Sequence, residues 1–492
     1  MAEPAFALEP PAMAALRDQL SSCLAELRTA KGAVNQFVRV CVQRGLPVDR
    51  SLTASLHTAA QQAEHRVERE LRVAAVSDLS GMLSAGESVV RFALSTAAYV
   101  RGALEWCAQS YDQSRAVQFF DTGALDSPVV NYERYSHQAV ERVEAQLASV
   151  FGLNPERSGL CVTSSGMAAF AVLESFLIRE RLRPGDVVLT APYIYFETAE
   201  QLAALPHVRL EKTGGYAVPA IMADVLRLRP RALFVDPVAN TGPQRMVDLD
   251  RLLHELRKTI TWRMTVVVDG TMAAASLPAA LLESCPLVEV LYYESCSKYL
   301  QLGLDCGMAG VLVFPAPLAD RVRHLRRNAG GVLYRHSAEL FPRYSRADLR
   351  ARMHRICGNA ADLADLLHAD PRVRAAGAIH HPLLPDHPDH AVARRLPYVT
   401  GFANFLHGES DRNTRPGLTP MIDRILAHAR DLGVQVTKGA SFGFSVPRAS
   451  PADPMGEGEP TFLRLYAGDR EDQVPALAEA VGRALAEYPA PR

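Results

Sequence analysis

The sequence lacks the features that mark nucleic-acid-binding, membrane-spanning and secreted proteins. Its 53 basic and 54 acidic residues leave a formal net charge of −1, so no charge excess predicts binding to nucleic acid or to an anionic membrane. No hydrophobic run reaches the roughly 20 residues that a membrane-spanning helix needs. Residues 1–11 show no basic start followed by an apolar stretch, so we expect no signal peptide.

Cysteine is scarce and scattered along the chain. The eight cysteines, at positions 23, 41, 107, 161, 285, 296, 306 and 357, form no Cys-x-x-Cys pair and no spacing typical of zinc ligands. We interpret them as reduced thiols, which predicts a cytoplasmic protein.

A chain of 492 residues, 48% of them hydrophobic, is long enough for two or three domains with a sizeable core. Residues 1–115 are predicted to be helical, because leucines recur at helical spacing from Leu16 to Leu27 and similar patterns follow. Residues 116–150 begin irregularly and end in an amphipathic helix, and we interpret them as an arm that precedes the main domain.

Short apolar runs alternate with helical stretches over residues 151–372. The runs 187–190, 232–235, 265–268 and 290–293 are rich in β-branched and aromatic residues. This alternation predicts an α/β domain with a buried, mostly parallel sheet.

Residues 373–492 mix short strands with helices and are predicted to form a smaller α+β domain. Within that domain the stretch from Ala449 to Pro460 is rich in proline, glycine and acidic residues, which predicts an exposed loop.

One lysine stands among small residues at the end of a strand-like run. Lys298 follows the run 288–293 and is preceded by the hydroxyls of Ser295 and Ser297. A lysine amine can hold pyridoxal phosphate as a Schiff base, and nearby hydroxyls can bind its phosphate. Taken alone, an ordinary surface lysine would be the simpler interpretation of so short a motif.

Two further stretches supply what the same cofactor needs. The segment 163–169 joins a short apolar run to a helix, whose first backbone N–H groups can bind phosphate. Asp269 ends another strand-like run, where a carboxylate can keep a pyridine nitrogen protonated. Because ligands bind beyond the carboxyl ends of parallel strands, we expect these groups and Lys298 to meet at one edge of the sheet.

The order of these motifs resembles that of the Cys/Met-metabolism family of pyridoxal-phosphate enzymes, which includes cystathionine γ-synthase, cystathionine lyases and methionine γ-lyase. The similarity spans roughly residues 130–490. It implies a fold-type-I transferase with a seven-stranded, mostly parallel sheet and a C-terminal small domain. It also implies pyridoxal 5'-phosphate as cofactor and a homodimer or homotetramer with shared active sites. The helical residues 1–115 are then an addition to the family pattern.

The resemblance assigns roles to individual residues. Lys298 would carry the cofactor and act as a base, and Asp269 would bind the ring nitrogen. Tyr195 would stack on the ring and assist proton movement, with Tyr193 as a competitor. Arg464 and Ser441 would bind the substrate, the arginine through the α-carboxylate. The other cofactor-binding residues implied are Ser165, Gly166, Met167, Asn240, Thr271, Ser295 and Ser297 in the same subunit, and Tyr132 and Arg134 reaching the phosphate of a neighbouring subunit.

One similarity to the family and two departures from its pattern concern parts of the chain beside these residues. The histidine-rich stretch 380–390 is similar to the family's loop into the small domain, so we prefer a loop to a metal site. Glu294 stands where the family has histidine, and His137-Gln138 stand where it has Asn-Pro. These changes leave cofactor binding intact and alter the substrate side, which favours a specialised enzyme over a housekeeping one.

We therefore predict an enzyme whose small-molecule substrate is an amino acid with a leaving group at Cγ. A homoserine ester, a cystathionine-like thioether or S-adenosylmethionine would react by γ-replacement or γ-elimination through a vinylglycine-like intermediate. A β-lyase or an aminotransferase on the same scaffold is one alternative. The other is a partner-binding protein with a vestigial site, against which the presence of Lys298, Asp269 and Arg464 argues.

Overall fold

The structure is a computed structural model that describes residues 11–43, 45, 47–73, 79–107, 117–118, 131–132, 134–277, 279–455 and 458–490. The chain divides into two compact units, residues 1–146 with 332–348 and residues 147–331 with 349–492. The four segments expected from the sequence, residues 1–115, 116–150, 151–372 and 373–492, stay a prediction. None of the helices formed by the described residues is both long and apolar enough to cross a membrane.

The described residues form helices and strands with the following bounds. The helices are α1 (Pro11–Gln43), α2 (Arg50–Val73), α3 (Leu79–Ala103), α4 (Gln138–Phe151), α5 (Gly166–Glu180), α6 (Phe196–Ala203), α7 (Val218–Leu228), α8 (Leu249–Thr259), α9 (Ala319–Asn328), α10 (Arg335–Leu340), α11 (Arg346–Ala369), α12 (Pro371–Ala376), α13 (His390–Ala393), α14 (Arg415–Asp431) and α15 (Val474–Ala486). The strands are β1 (Val117–Gln118), β2 (Asn131–Tyr132), β3 (Ser158–Thr163), β4 (Val187–Thr190), β5 (Arg209–Lys212), β6 (Ala232–Val235), β7 (Met264–Asp269), β8 (Val288–Ser295), β9 (Gly310–Pro315), β10 (Gly377–His380), β11 (Phe402–His407), β12 (Thr437–Lys438), β13 (Arg448–Ala452) and β14 (Phe462–Tyr466).

The first unit is built on the helical extension. Helices α1, α2 and α3 each pack against the other two, and they bury apolar residues at helical spacing such as Leu20 and Leu27 of α1 and Ala63 and Val67 of α2. This packing confirms the helical prediction for the described part of residues 1–115. Residues 108–115 lie outside the described part of the chain.

Ion pairs join distant parts of the first unit. Arg101 of α3 contacts Glu26 of α1 at 3.0 Å and Glu339 of α10 at 2.7 Å. Arg142 of α4 contacts the other oxygen of Glu339 at 2.6 Å, and Arg343 contacts Glu26 at 3.2 Å. Because the Glu339 side chain is only 4% exposed, its two arginine partners are needed to offset the free-energy cost of burying a carboxylate.

The second unit contains a seven-stranded sheet in the order β3-β9-β8-β7-β6-β4-β5. Strand β9 runs antiparallel to β3 and β8, and the pairs from β8 to β5 are parallel. The interior of β7, Val266 to Val268, is completely buried, as expected for a strand covered on both faces. This sheet confirms the predicted α/β, fold-type-I architecture.

Strand direction places the candidate site. Strands β3, β6, β7 and β8 all run the same way, so their carboxyl ends lie at one edge of the sheet. The residues that follow or end them include Ser165, Asp236, Asp269 and Lys298. The directions of these four strands are therefore enough to bring the predicted motifs to the same edge of the sheet.

A five-stranded sheet in the order β10-β11-β14-β13-β12 lies in the C-terminal part of the second unit. Helices α14 and α15 pack against each other, and their apolar residues join those of the sheet in one core. The predicted exposed loop from Ala449 is wrong in its first part, because β13 pairs with β14 along its whole length. Pairing with the apolar run of β14 overrides the low strand propensity of Pro451.

Candidate active site

A cavity of about 530 Å³ lies within the second unit, and both sheets contribute residues to its wall. Eleven residues predicted from the sequence line it together: Ser165, Gly166, Met167, Tyr195, Asn240, Asp269, Thr271, Ser295, Ser297, Lys298 and Arg464. The fold thus brings together residues that are up to about 300 positions apart in the sequence.

The start of α5 forms one wall of the cavity. The Ser165 hydroxyl caps the helix by accepting the N–H of Ala168 at 3.0 Å. The N–H groups of Gly166 and Met167 have no acceptor within the helix because they belong to its first turn. A Cβ atom on Gly166 would lie 2.9 Å from Cβ of Ser295, so only glycine lets the helix start approach the end of β8 this closely. The result is a cradle of donors suited to phosphate.

Lys298 follows Ser297 just beyond the end of β8, and it is largely buried. Its amine lies 5.7 Å from the centroid of the Phe442 ring. Burial, reinforced by the nearby Arg464 guanidinium, lowers the pKa of Lys298, whereas Asp305, Asp269 and Glu197 act in the opposite direction. Gly443, at φ +93°, packs its backbone on Lys298, where a Cβ atom would collide with the lysine carbonyl group.

Two buried carboxyl groups lie at the ends of β6 and β7. One oxygen of Asp269 accepts the N–H of Thr271 at 2.9 Å, and the Tyr293 hydroxyl also donates to this carboxyl group. Burial raises the pKa of Asp269. Burial and the proximity of Asp269 raise the pKa of Asp236 further above its ordinary value. A cation bound beside Asp269 would relieve this electrostatic penalty, and a protonated pyridine ring supplies one.

Arg464 extends from the middle strand of the small sheet into the cavity. Its guanidinium lies 4.6 Å from the ring centroid of Phe402 and 5.3 Å from that of Phe442, and it donates to the side-chain oxygen of Asn240. Its Nε has no hydrogen-bond partner among the described residues. Burial lowers the pKa of Arg464 to about 10, so the group stays charged at neutral pH and suits an anionic ligand.

The two candidate tyrosines differ in position. Tyr195 lines the cavity, whereas Tyr193 is 4% exposed and does not belong to the cavity wall. Burial, together with Glu197 and Asp269, raises the pKa of Tyr195 to about 12. The geometry favours Tyr195 for a position against a cofactor ring, and its hydroxyl stays protonated at neutral pH.

Three predicted residues are not among the described residues that line the cavity. Ser441 stands between two residues of the cavity wall, Ala440 and Phe442, and is not part of it. Tyr132 lies on β2 in the first unit, and its side chain is outside the described part of the structure. Arg134 belongs to the same unit, and its guanidinium lies 5.4 Å from the Tyr135 ring centroid. Their roles stay predictions.

The cavity also contains residues that the sequence analysis did not assign. Asp236 and Tyr293 could have been found, because both stand at strand ends beside assigned residues. Met308, Arg415 and Met455 lie on segments with no motif, and only the folded chain brings them to the cavity.

The histidines of the stretch 380–390 make local structural contacts. His381 accepts the N–H of Leu383 at 3.2 Å, and a His387 ring nitrogen lies 2.8 Å from the carbonyl oxygen of Pro243. Among the residues that the structure describes, no three His, Cys, Asp or Glu side chains are grouped so that they could hold a metal ion.

The donor set of the cavity fits pyridoxal phosphate. The helix start and the hydroxyls of Ser295 and Ser297 can hold the phosphate, and Asp269 can hold the ring nitrogen. Lys298 supplies the amine that the aldehyde needs. The fold and this cavity together define a pyridoxal-phosphate-dependent enzyme of fold type I.

Comparison with known proteins assigns the family. The sequence model of the family of Cys/Met metabolism PLP-dependent enzymes, where PLP is pyridoxal phosphate, matches residues 106–412. The bifunctional enzyme flvA of Aspergillus flavus is 33% identical over 394 residues, which cover 78% of this chain and 46% of that protein. L-methionine gamma-lyase of Pseudomonas putida is 32% identical over 272 residues, covering 54% of this chain and 62% of the relative. This chain therefore spans less than two thirds of the length of these curated relatives.

Solved structures agree with this assignment. The apo structure of CalE6, a methionine gamma lyase from Micromonospora echinospora, has a TM-score of 0.57 at 27% identity, covering 73% of this chain and 89% of CalE6. Cystathionine gamma synthase from Xanthomonas oryzae shares the fold, with a TM-score of 0.58 at 22% identity over 72% of this chain and 88% of that one. The chain belongs to the Cys/Met metabolism family of enzymes, and its cofactor is pyridoxal phosphate.

Proposed function

We propose that this chain acts on an amino acid with a leaving group at Cγ, by γ-replacement or γ-elimination. The observation that carries the proposal is that Lys298, Asp269 and Arg464 line one cavity with Tyr195. The names of the relatives support the reaction class, since they include L-methionine gamma-lyase and, in Arabidopsis thaliana, cystathionine gamma-synthase.

The chain's own groups perform the binding steps. Arg464 pairs with the substrate α-carboxylate and thereby fixes Cα near Lys298. Asn240, which accepts a hydrogen bond from Arg464 in this structure, would hold the phenolic oxygen of the cofactor. When bound, pyridoxal phosphate accepts the electrons released from Cα, and Asp269 keeps its ring nitrogen protonated.

Two side chains of the cavity wall, Lys298 and Tyr195, transfer protons in this proposal. The lowered pKa of Lys298 leaves more of its amine neutral near pH 7. The free amine of Lys298 can therefore remove the proton from Cα of the bound substrate. The same amine, or the Tyr195 hydroxyl, then moves a proton at Cβ. Because the pKa of Tyr195 is raised to about 12, Tyr195 acts as a proton donor and does not act as a base at neutral pH.

The proposal is tested by product analysis. Holoenzyme incubated with O-acetyl-L-homoserine, L-methionine, L-cystathionine or S-adenosylmethionine should release 2-oxobutanoate and ammonia, or a γ-substituted amino acid when a thiol is added. Lys298→Ala is the control and should release neither. The assignment of Lys298 would be wrong if this variant still gave a borohydride-reducible lysine adduct at the site.

The alternatives give different products. A β-lyase would convert L-cystathionine to pyruvate and homocysteine. An aminotransferase would release no ammonia and would leave the γ-substituent in place. A vestigial site would release no product from any of these substrates, and would overturn the proposed activity as a whole.

We further propose a homo-oligomer in which Tyr132 and Arg134 reach the cofactor phosphate of a neighbouring subunit. Members of the family act as oligomers, and Arg134 is an exposed cation in the first unit. Mixing inactive Lys298→Ala and Arg134→Ala subunits should restore part of the activity, because some mixed sites contain both wild-type residues. Light scattering that shows a monomer with full cofactor affinity would contradict this proposal.

A further inference from the structure

Arg415 carries a second guanidinium on the wall of the cavity, and the proposed reaction does not use it. It is the first residue of α14 and follows the cap Thr414, whose hydroxyl accepts the N–H of Gly417 at 3.2 Å. Its side chain is exposed and lines the same cavity as Lys298 and Arg464. Within the described ranges, no acidic side chain forms an ion pair with it. The guanidinium is therefore open to a ligand.

The cavity that Arg415 lines is mostly apolar. Met308 and Met455 are 68% and 59% exposed, and both line the cavity with Pro451. Flexible, polarizable methionines adapt to aliphatic or thioether chains of different shape. A reactant held by Arg464 through its α-carboxylate would lie in this mostly apolar cavity.

Asp453 lines this cavity as well, in addition to the buried Asp236 and Asp269. The Asp453 carboxylate accepts the backbone N–H of Met455 at 3.0 Å, so it is held by its own loop. It weakens the attraction of the wall for anions without neutralising Arg415 through a direct contact. Arg415 also stands at the start of a 17-residue helix, where the helix dipole favours negative charge.

We propose that Arg415 binds a second, distal carboxylate carried by a reactant, and thereby makes the enzyme selective for acidic side groups. This inference rests on the proposed function. The planar guanidinium fork matches a carboxylate through two N–H groups, whereas a neutral ester or thioether end offers no such partner. The distal carboxylate belongs either to the acyl leaving group or to the incoming nucleophile.

The binding test uses two amino acids that carry no leaving group. L-2-aminopimelate and L-2-aminoheptanoate have the same chain length and differ in the distal carboxylate. Their dissociation constants are measured from the absorbance change of the bound cofactor in the holoenzyme. Arg415→Gln should raise the dissociation constant of L-2-aminopimelate by about three- to tenfold relative to that of L-2-aminoheptanoate.

Two further variants separate this contact from general charge effects. Arg430→Gln removes the same charge from the same helix, about 22 Å further along its axis and away from the cavity wall. It should leave the ratio of the two dissociation constants unchanged. Arg415→Lys keeps the charge without the fork and should lose part of the preference. Equal effects of Arg415→Gln on both ligands, or the same shift in Arg430→Gln, would overturn the proposal.

Kinetics distinguish the two sources of the carboxylate. If the leaving group carries it, Arg415→Gln should raise the KM of O-succinyl-L-homoserine more than that of O-acetyl-L-homoserine in elimination. If the nucleophile carries it, the variant should instead raise the KM of L-cysteine more than that of cysteamine in replacement.

The binding test also separates this proposal from the proposed function. A distal-carboxylate preference without any γ-reaction would support the role of Arg415 and refute the proposed function. Normal γ-turnover without the preference would refute the role of Arg415 alone.

Discussion

Replacement of Glu294 by glutamine should change how the stability of the protein depends on pH. Glu294 is completely buried on β8, where one oxygen accepts the Tyr292 hydroxyl and the backbone N–H of Ala275. Its other oxygen has no partner among the described residues. Burial raises the pKa of Glu294 from 4.5 to about 8, although the two hydrogen bonds act in the opposite direction. The carboxyl group is therefore neutral in the folded protein at pH 7.

The direction of the effect follows from proton linkage. Between pH 4.5 and about 8 the folded state keeps this proton while the unfolded state releases it, so wild-type stability falls as the pH rises through this window. Each unit of pKa difference corresponds to about 1.4 kcal/mol, so the whole window represents on the order of 5 kcal/mol as an upper limit. Glutamine keeps the acceptor oxygen and has no proton to lose, so this part of the pH dependence should disappear.

The measurement is the melting temperature by circular dichroism from pH 5 to pH 9. The difference between Glu294→Gln and wild type should increase in favour of the variant up to about pH 8 and then level off. Burial raises the pKa of the neighbouring Tyr292 and Cys296 well above their ordinary values, so they begin to contribute only near pH 9, where the unfolded thiol titrates, and both proteins share that contribution. Glu156→Gln, which removes an exposed carboxylate, is the control and should show a constant difference. A constant difference for Glu294→Gln as well would refute the reasoning.

Two further predictions concern the cavity. Arg464→Ala should lower kcat/KM by on the order of 10²-fold or more while cofactor absorbance persists, because it removes the buried charge-assisted contact proposed for the substrate carboxylate. Unchanged kcat/KM or loss of the cofactor would assign Arg464 a different role. Gly166→Ala should weaken cofactor binding in titrations of apoenzyme by about tenfold, because its methyl group would press against Ser295. Gly358→Ala, with no atom within 4 Å, is the control, and equal affinities of the two variants would contradict the cradle.

The sequence was sufficient to predict the large sheet and most of the cavity. Strands such as β7 are continuous apolar runs that end in a polar group, and in a parallel sheet the chain direction alone brings those ends together. Lys298, Asp269 and Gly166 could therefore be placed from local patterns. Their assigned chemical roles stay predictions that the variants described above would test.

Features fixed by tertiary contacts could not be predicted in this way. Strand β5, Arg209–Lys212, is a short edge strand without apolar alternation, and its pairing with β4 defines it. Arg415 carries no local signal, because a single arginine after a helix cap belongs to no ligand-binding motif and only the fold brings it to the cavity. The partner of Arg464, Asn240, lies 224 positions away in the sequence.

The segment 332–348 has a consequence for how the first unit is synthesised. Glu339 follows Arg142 by 197 residues, so the ribosome completes the helical extension well before it adds the carboxylate that both Arg142 and Arg101 contact. At about 5–20 residues per second this interval lasts about 10–40 s. During that time both guanidinium groups can only be hydrated or paired otherwise. Final closure of the extension must therefore wait until the ribosome has also translated Lys298, which couples the maturation of the helical region to synthesis of the catalytic part.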